Sequence, residues 1–314
     1  MTTRLPASPA ASGTDAAAVG ARTPARWLIA VIRTARPRQW PKNLLVFAAP
    51  LAGSSLGRPD GLAYALVAVA AFTAASSAVY FVNDVLDAER DRGHPHKRNR
   101  PVAAGELPAP HALAAAAACA AAAATAGFWI GEPGLAAAIG GYLAASLAYT
   151  LGLKHVPVLE LLLVASGFVL RALGGAAATR VPPSGWFLLV ATLGALMVAA
   201  TKRSMELAAL GPDAARHRPA MRWYTAASLR LSQQALGVAM IAAYTAWAAG
   251  EAGWDRDWHL ASALPLAAAL ARFGWLSADT PAVPVEDLIT RDPVMASCEV
   301  TWLLLFAAGL GAGL

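Results

Sequence analysis

Long apolar segments alternate with shorter polar stretches along nearly the whole chain. They fall at about 40–57, 61–84, 109–130, 134–151, 157–177, 184–208, 225–250, 258–277 and 296–314. At roughly 20 residues, a segment of this kind covers the ~30 Å hydrocarbon core of a bilayer as an α-helix. The pattern therefore predicts an all-α membrane protein, a bundle of nine transmembrane helices occupying residues 26–314 as one polytopic domain. Residues 1–25 are rich in Ala, Ser, Thr, Pro and Gly and lack the apolar core of a secretory signal, so they read as a disordered tail.

The polar stretches orient the bundle. With the N-terminus on the cytoplasmic side, 21 of the 25 Lys and Arg residues lie in cytoplasmic segments. Arg58, Arg180 and Arg256 fall on the far side, and Arg171 falls inside a span. This bias places the N-terminus in the cytoplasm and the charged loops on the inner face of the plasma membrane. Composition agrees: 57% of residues are hydrophobic, 14% are charged and the mean hydropathy is +0.49, too apolar for a soluble fold. The net charge of +6 comes from clusters between spans rather than from one basic face, which excludes nucleic acid as the partner. Cys119 and Cys298 sit in apolar stretches and supply neither a disulfide framework nor a zinc site. Poly-Ala tracts such as 114–124 let helices approach closely and need no further role.

Candidate chemistry gathers where the second segment ends, in YFVNDVLDAERDRGHPHKRNRP. Asn83, Asp87 and Asp91 recur every fourth residue and share one helix face, with Asp84 adding an oxygen donor. One reading is a solvated helix end with Arg90 and Arg92 as salt-bridge partners. The other is a cation site, since stacked carboxylates at a membrane surface repel one another unless a cation neutralises them. Hard oxygen donors that share a metal with substrate phosphate point to Mg²⁺. The motif is complete enough to favour the second reading, with Asp84, Asp87 and Asp91 carrying the chemistry. Downstream, Lys97 and Arg100 suit phosphate oxygens. His94 and His96 have no metal-ligand partner in reach, and Arg98 is an anchor for anionic lipid as readily as a ligand.

Other polar residues mark the same end of the bundle. In RPRQWPKN, Arg36, Arg38, Gln39 and Trp40 read as an interfacial belt, while Lys42 is placed to bind phosphate. The fourth segment ends in YTLGLKH, bringing Tyr149 and Lys154 to the rim, and Glu160 follows. Arg171 lies in mid-span on a stripe with Glu160, Gly167 and Gly174; it either serves a polar site or ties helices together through backbone carbonyls. Eleven residues of helix separate Glu160 from Arg171, too far for a direct pair. The sixth segment ends in ATKRSMEL, where Lys202 and Glu206 share a face beside Arg203. Spacing assigns no role to Glu286, Asp287, Arg291 and Asp292.

Nine apolar segments, N-D-x-x-D-x-x-x-D after the second and a Tyr/Lys pair after the fourth resemble the UbiA superfamily of intramembrane transferases. The resemblance covers about 40–314 and implies a diphosphate donor held through Mg²⁺. Members usually carry a second acidic motif after the sixth helix; here Lys202, Arg203 and Glu206 stand in its place. That departure, with RPRQWPKNLLVFAAPL, HPHKRNRPVAAG, GFVLRALGGAAAT and KRSMEL, resembles the branch that moves 5-phosphoribose from phosphoribosyl diphosphate to a polyprenyl (decaprenyl) phosphate, for cell-wall arabinan synthesis. In that branch position 160 is expected to be Asp, and this chain has Glu160.

The resemblance implies that Asn83, Asp84, Asp87 and Asp91 hold the metal and the departing diphosphate. Lys42, Lys97, Arg100, Tyr149 and Lys154 would position the phosphates, with Lys202 and Arg203 on the donor 5-phosphate and Glu160 and Arg171 beside them. The acceptor tail is expected in a lipid-open groove between apolar helices, and a homo-oligomer is compatible with the sequence. Two other readings share these features in part. A prenyltransferase acting on an aromatic acceptor would share the first motif. A small-solute transporter would show paired broken helices from internal repeats, which this sequence lacks.

Overall fold

A computed structural model describes residues 24–58, 60–94, 97–211, 214, 219–250, 255–281 and 283–311. The expected tail at 1–25 lies outside the described residues apart from its last two positions, which begin a helix, and His96 lies outside them as well. Every described element is helical. The helices are α1 Pro24–Ala35, α2 Ala48–Ala52, α3 Gly61–Leu86, α4 Ala88–Arg92, α5 Ala109–Ile130 and α6 Pro133–Leu151. They continue as α7 Leu159–Ala178, α8 Gly185–Leu210, α9 Ala226–Gly250, α10 Asp255–Asp279, α11 Val285–Arg291 and α12 Pro293–Gly311.

Among the described residues, seven helices are long and apolar enough to cross a membrane: α3, α5, α6, α7, α8, α10 and α12. With 25 residues, α9 reaches about 37 Å, though Arg230, Gln233 and Gln234 interrupt its apolar run. The expected count of nine is therefore not reproduced. The first expected span, 40–57, differs most from the sequence reading. It folds as a 3-10 helix at Pro37–Phe47, the short α2 and a second 3-10 turn at Ser55–Gly57. Proline at 37, 41 and 50 removes N–H donors and obstructs the i→i−4 ladder, so an apolar stretch of the right length does not become one α-helix.

Packing explains the order of the bundle. Phe72, Ala75, Ala123, Leu135, Ile139 and Tyr142 form a buried core among α3, α5, α6 and α7. A second core joins Met197 and Met205 of α8 to Phe273, Leu276 and Met295 of α10 and α12. Close approach depends on glycine: a Cβ at Gly175 would meet the Val46 carbonyl oxygen at 1.8 Å, so the 3-10 segment can lie against α7 only because position 175 has no side chain. Gly131 closes α5 in the left-handed region (φ 72°), turning the chain directly into α6. The C-terminal ends of α3, α6 and α8 are thereby brought to one end of the molecule with the starts of α5 and α7.

Candidate active site

Helix α3 ends at Leu86, capped by Asp87, but its hydrogen-bond ladder does not stop there. The Asp87 N–H donates to the Asn83 carbonyl at 2.9 Å and the Asp91 N–H to the Asp87 carbonyl at 2.8 Å, so the i→i−4 pattern passes through into α4. Asn83, Asp87 and Asp91 keep their common face for that reason. Asp84 and Asp91 are almost fully buried, at 2% and 3% exposure.

Cations from four different segments converge on these carboxylates. Arg36 donates to Asp84. Arg100 Nη1 lies 2.6 Å from Asp91 Oδ2 and 3.4 Å from Asp84 Oδ1, so one charged nitrogen serves two carboxylates. Asp87 faces Lys154 Nζ at 3.7 Å and Arg90 Nη1 at 3.4 Å. Thr150 donates to Asn83 Oδ1 at 2.5 Å, tying α6 to α3. Arg92 turns away and donates to the Ala103 carbonyl. The cations remain part-exposed, with side-chain exposures of 28% for Arg36 and 27% for Arg100, so a ligand can reach them.

Two expected residues lie elsewhere. Arg171 is buried at 5% exposure, and each of its three nitrogens has a partner within the chain: Asn43 Oδ1 at 2.7 Å, the Gly167 carbonyl at 2.6 Å and the Tyr142 hydroxyl at 3.1 Å. Its guanidinium also lies over the Tyr142 ring, 4.5 Å from the centroid. This knot joins the 3-10 segment, α6 and α7, and among the described residues no carboxylate pairs with Arg171. Arg203 is likewise enclosed. It pairs with Glu160 at 2.9 Å and with Glu206, and it donates to the Tyr149 hydroxyl at 3.0 Å. Glu206 is thus held by Arg203 three residues away, and the neighbouring Lys202 is exposed on α8, two turns before its end. Glu160 and Arg171 do not pair with each other, as their helical separation requires.

A loop residue completes the Glu160 setting. Tyr224 lies within electrostatic reach of Glu160, and its hydroxyl oxygen accepts the Val158 N–H at 2.7 Å. Burial pushes the Tyr224 hydroxyl up from the ordinary phenol range, with the Glu160 charge adding to the effect. Val158 itself is held at φ 65° and ψ −50°, while Leu159 N–H reaches back to Pro157 O at 2.7 Å. This is a γ-turn that a β-branched residue adopts only under constraint.

Of the remaining expected residues, Lys42 donates to Gln39 Oε1 at 2.5 Å, and Lys97 and Arg98 are exposed on the loop after α4. Asp292, left without a role by its spacing, accepts from Arg272 Nη2 at 2.7 Å and from the Met295 N–H at 2.9 Å, capping α12. Arg291 faces Asp287 at 3.5 Å, and the Glu286 side chain lies outside the described residues.

A buried acidic helix end ringed by cations, on a bundle of apolar helices, matches a known family. The UbiA prenyltransferase family profile fits residues 43–283. This chain belongs to the UbiA prenyltransferase family. Among its relatives, the decaprenyl-phosphate phosphoribosyltransferase of Mycobacterium tuberculosis is 37% identical over 294 residues, covering 92% of this chain and 97% of that protein. The enzyme of the same name from Corynebacterium glutamicum is 37% identical over 249 residues, covering 77% and 75%. A UbiA homolog from Archaeoglobus fulgidus, solved bound to GPP and Mg²⁺, has the same fold: TM-score 0.69 at 16% identity, covering 90% of this chain and 98% of that one.

As a UbiA protein the chain is a multi-pass membrane protein, and its site contains residues that the sequence did not single out. Arg36, read as belt, reaches Asp84 from a left-handed backbone conformation (φ 54°) and lies over the Tyr80 ring at 4.9 Å. Its sequence separation from Asp84 hides the pairing; the only local signal is an Arg immediately before Pro37. Thr150 and Tyr224 are uncharged and belong to no spacing pattern, so nothing short of the fold identifies them; the same holds for Asn43 in the Arg171 knot.

Proposed function

We propose that the chain transfers 5-phosphoribose from phosphoribosyl diphosphate to decaprenyl phosphate, releasing diphosphate, at the cytoplasmic face of the plasma membrane. The observation that carries this reading is the 37% identity to named decaprenyl-phosphate phosphoribosyltransferases over 92% of the chain. The strong bias of Lys and Arg to one side supports the cytoplasmic placement.

The acidic end of α3 suits Mg²⁺. Asn83, Asp84, Asp87 and Asp91 offer hard oxygen donors, and Arg100 already sets one positive charge within 3.4 Å of both Asp84 and Asp91. Among the described residues no three His, Cys, Asp or Glu side chains converge closely enough to hold a metal by themselves, and Mg²⁺ bound through one or two carboxylates plus substrate phosphates requires no such group. Bound there, the metal would neutralise the departing diphosphate.

The chain's own residues bind and orient. Arg36, Arg100 and Lys154, with Lys97 and Lys42 at the rim, supply positive charge for the phosphates of donor and acceptor. An acceptor phosphate oxygen forms the new bond to the ribose anomeric carbon as the bond from that carbon to the diphosphate oxygen breaks, and the diphosphate leaves with the electron pair. A phosphate is ionised at neutral pH, so this displacement needs no strong general base. Lys202, exposed on the last third of α8, is suited to the donor 5-phosphate. Arg203, enclosed by Glu160, Glu206 and Tyr149, acts as a positioning residue that fixes Tyr149. Arg171 is assigned to holding helices together.

The test is to incubate purified protein and Mg²⁺ with labelled phosphoribosyl diphosphate and decaprenyl phosphate, and separately with a prenyl diphosphate and an aromatic acid. A labelled sugar lipid in the first mixture alone is expected. Product in the second mixture alone would replace this reading with prenyl transfer.

A further inference from the structure

Helix α7 begins without a cap of its own. Helix starts are usually capped by a Ser, Thr, Asp or Asn side chain that accepts one of the first free N–H groups. Here Val158 stands at the N-cap position, and its side chain makes no capping hydrogen bond. Its backbone is held at φ 65° and ψ −50°, a γ-turn of the rare, strained kind that disfavours a β-branched residue. The missing partner comes from 66 residues along the chain: the Tyr224 hydroxyl oxygen accepts the Val158 N–H at 2.7 Å.

Tyr224 is itself anchored on both flanks. Its N–H donates to the Met221 carbonyl at 3.1 Å, against the 3-10 turn Pro219–Trp223, in which Ala220 and Met221 are buried. On the other flank Thr225 Oγ1 accepts the Ser228 N–H at 3.0 Å and Ser228 Oγ accepts the Thr225 N–H at 3.1 Å, a reciprocal cap that starts α9. A fixed point on the α8–α9 connection therefore grips the α6–α7 connection. The gripped segment carries charge on both sides of Val158. Lys154 lies in the 3-10 turn Leu153–His155, and its Nζ faces Asp87 at 3.7 Å. Glu160 is fully buried and meets Arg203 Nε at 2.9 Å. The connection runs only from 152 to 158, so the direction in which the chain enters α7 sets where the turn carrying Lys154 stands.

We propose that Tyr224 is a positioning residue for the transfer reaction: its hydroxyl holds Val158 in the γ-turn, and that turn holds Lys154 where it meets the donor diphosphate. This inference rests on the reading of the end of α3 as the diphosphate site. The hydroxyl does the holding, not the ring. Phenylalanine at 224 keeps the packing and removes the acceptor, so Val158 relaxes toward negative φ and the Lys154 turn moves with it. Glycine at 158 acts in the opposite sense. It takes a φ near 65° without strain, so the turn no longer depends on Tyr224.

The test uses full-length protein in nanodiscs as the parent, Tyr224→Phe, Lys154→Ala, Tyr224→Phe with Val158→Gly, and Tyr224→Phe with Lys154→Ala. Equilibrium binding of labelled phosphoribosyl diphosphate and of inorganic diphosphate is measured with Mg²⁺, and amide hydrogen exchange is followed over 156–160. Tyr224→Phe is expected to weaken binding of both ligands by at least about fivefold and to speed exchange at the Val158 amide by at least about threefold. Added to Lys154→Ala, it should cost less than about twofold more, because the two residues act through one contact. With Val158→Gly present, binding should return to within about twofold of the parent.

Parent-like binding by Tyr224→Phe would overturn the proposal. So would an equal loss from Tyr224→Phe with and without Lys154, which would separate the two residues. Failure of Val158→Gly to restore binding, or faster exchange spread through the bundle, would reduce Tyr224 to a general structural role and overturn it as well. If the parent binds inorganic diphosphate but not phosphoribosyl diphosphate, the reading of the donor fails and the proposal is scored on inorganic diphosphate. If it binds neither, both fall.

Discussion

The acidic end of α3 and the middle of α7 both concentrate charge inside apolar helices, and they resolve it in opposite ways. Around Asp84 and Asp91 the compensating charges come from part-exposed Arg36 and Arg100, whose side chains are 28% and 27% accessible. Around Arg171 the compensation is complete and internal: an amide, a carbonyl, a hydroxyl and an aromatic face account for the guanidinium at 5% exposure. A charge cluster that keeps a solvent-reachable half can exchange a protein cation for a ligand's metal or phosphate. A charge sealed on every side can only hold helices in place. An arginine in mid-span is by default a functional candidate; here its partners decide between function and support.

The contrast is sharpest under substitution. Asp87→Ala should lower turnover by at least about 10³-fold, the scale of losing a main electrostatic contributor, while thermal unfolding in detergent stays near that of the parent. Arg171→Met should do the reverse. Removing the centre of a buried polar knot strands Asn43 Oδ1 and the Tyr142 hydroxyl, and a loss of about 1–3 kcal/mol for each stranded group is expected in unfolding measurements, with turnover per folded molecule preserved. If Arg171→Met instead left stability intact and abolished donor binding, the two regions would not differ as described.

Between these extremes lies the end of α8. Lys202→Ala should raise the donor KM by about tenfold with a smaller effect on kcat, as expected when one exposed phosphate contact is lost. The smallest effect should come from Asp292, whose hydrogen bonds from Arg272 and the Met295 N–H hold its carboxyl below the usual carboxylate range. Because the folded value is depressed, its stabilising contribution is present above the ordinary carboxylate range and fades as pH falls through the folded value. Asp292→Asn should therefore narrow the difference in melting temperature between neutral and acidic buffer by a small amount, measured as a pair of unfolding scans.

Much of this is legible in the amino-acid sequence alone. The apolar segment at 109–130 is α5, and 184–208 differs from α8 by one or two residues at its ends, because uninterrupted apolar length is a local property. The acidic face was legible for the same reason: helical spacing survives the turn at Asp87. The segment at 40–57 was not, because its hydropathy says membrane while its prolines forbid a regular α-helix, and hydropathy alone does not weigh the two. Long-range pairing was also hidden. Nothing near Asp84 indicates that Arg36 reaches it, and Lys202, Arg203 and Glu206 looked like one intrahelical pair plus a spare cation until Glu160 and Tyr149 were found on Arg203.

The end of α3 is proposed to hold a metal-bound diphosphate in a site that its arginines keep accessible. The most direct test is equilibrium binding of labelled phosphoribosyl diphosphate to the detergent-purified protein, with and without Mg²⁺, for the parent and for Asp84→Asn. The account predicts binding that requires Mg²⁺ in the parent and is weakened at least about tenfold in the variant. Binding that persists without a divalent cation and survives the loss of the Asp84 charge would contradict it.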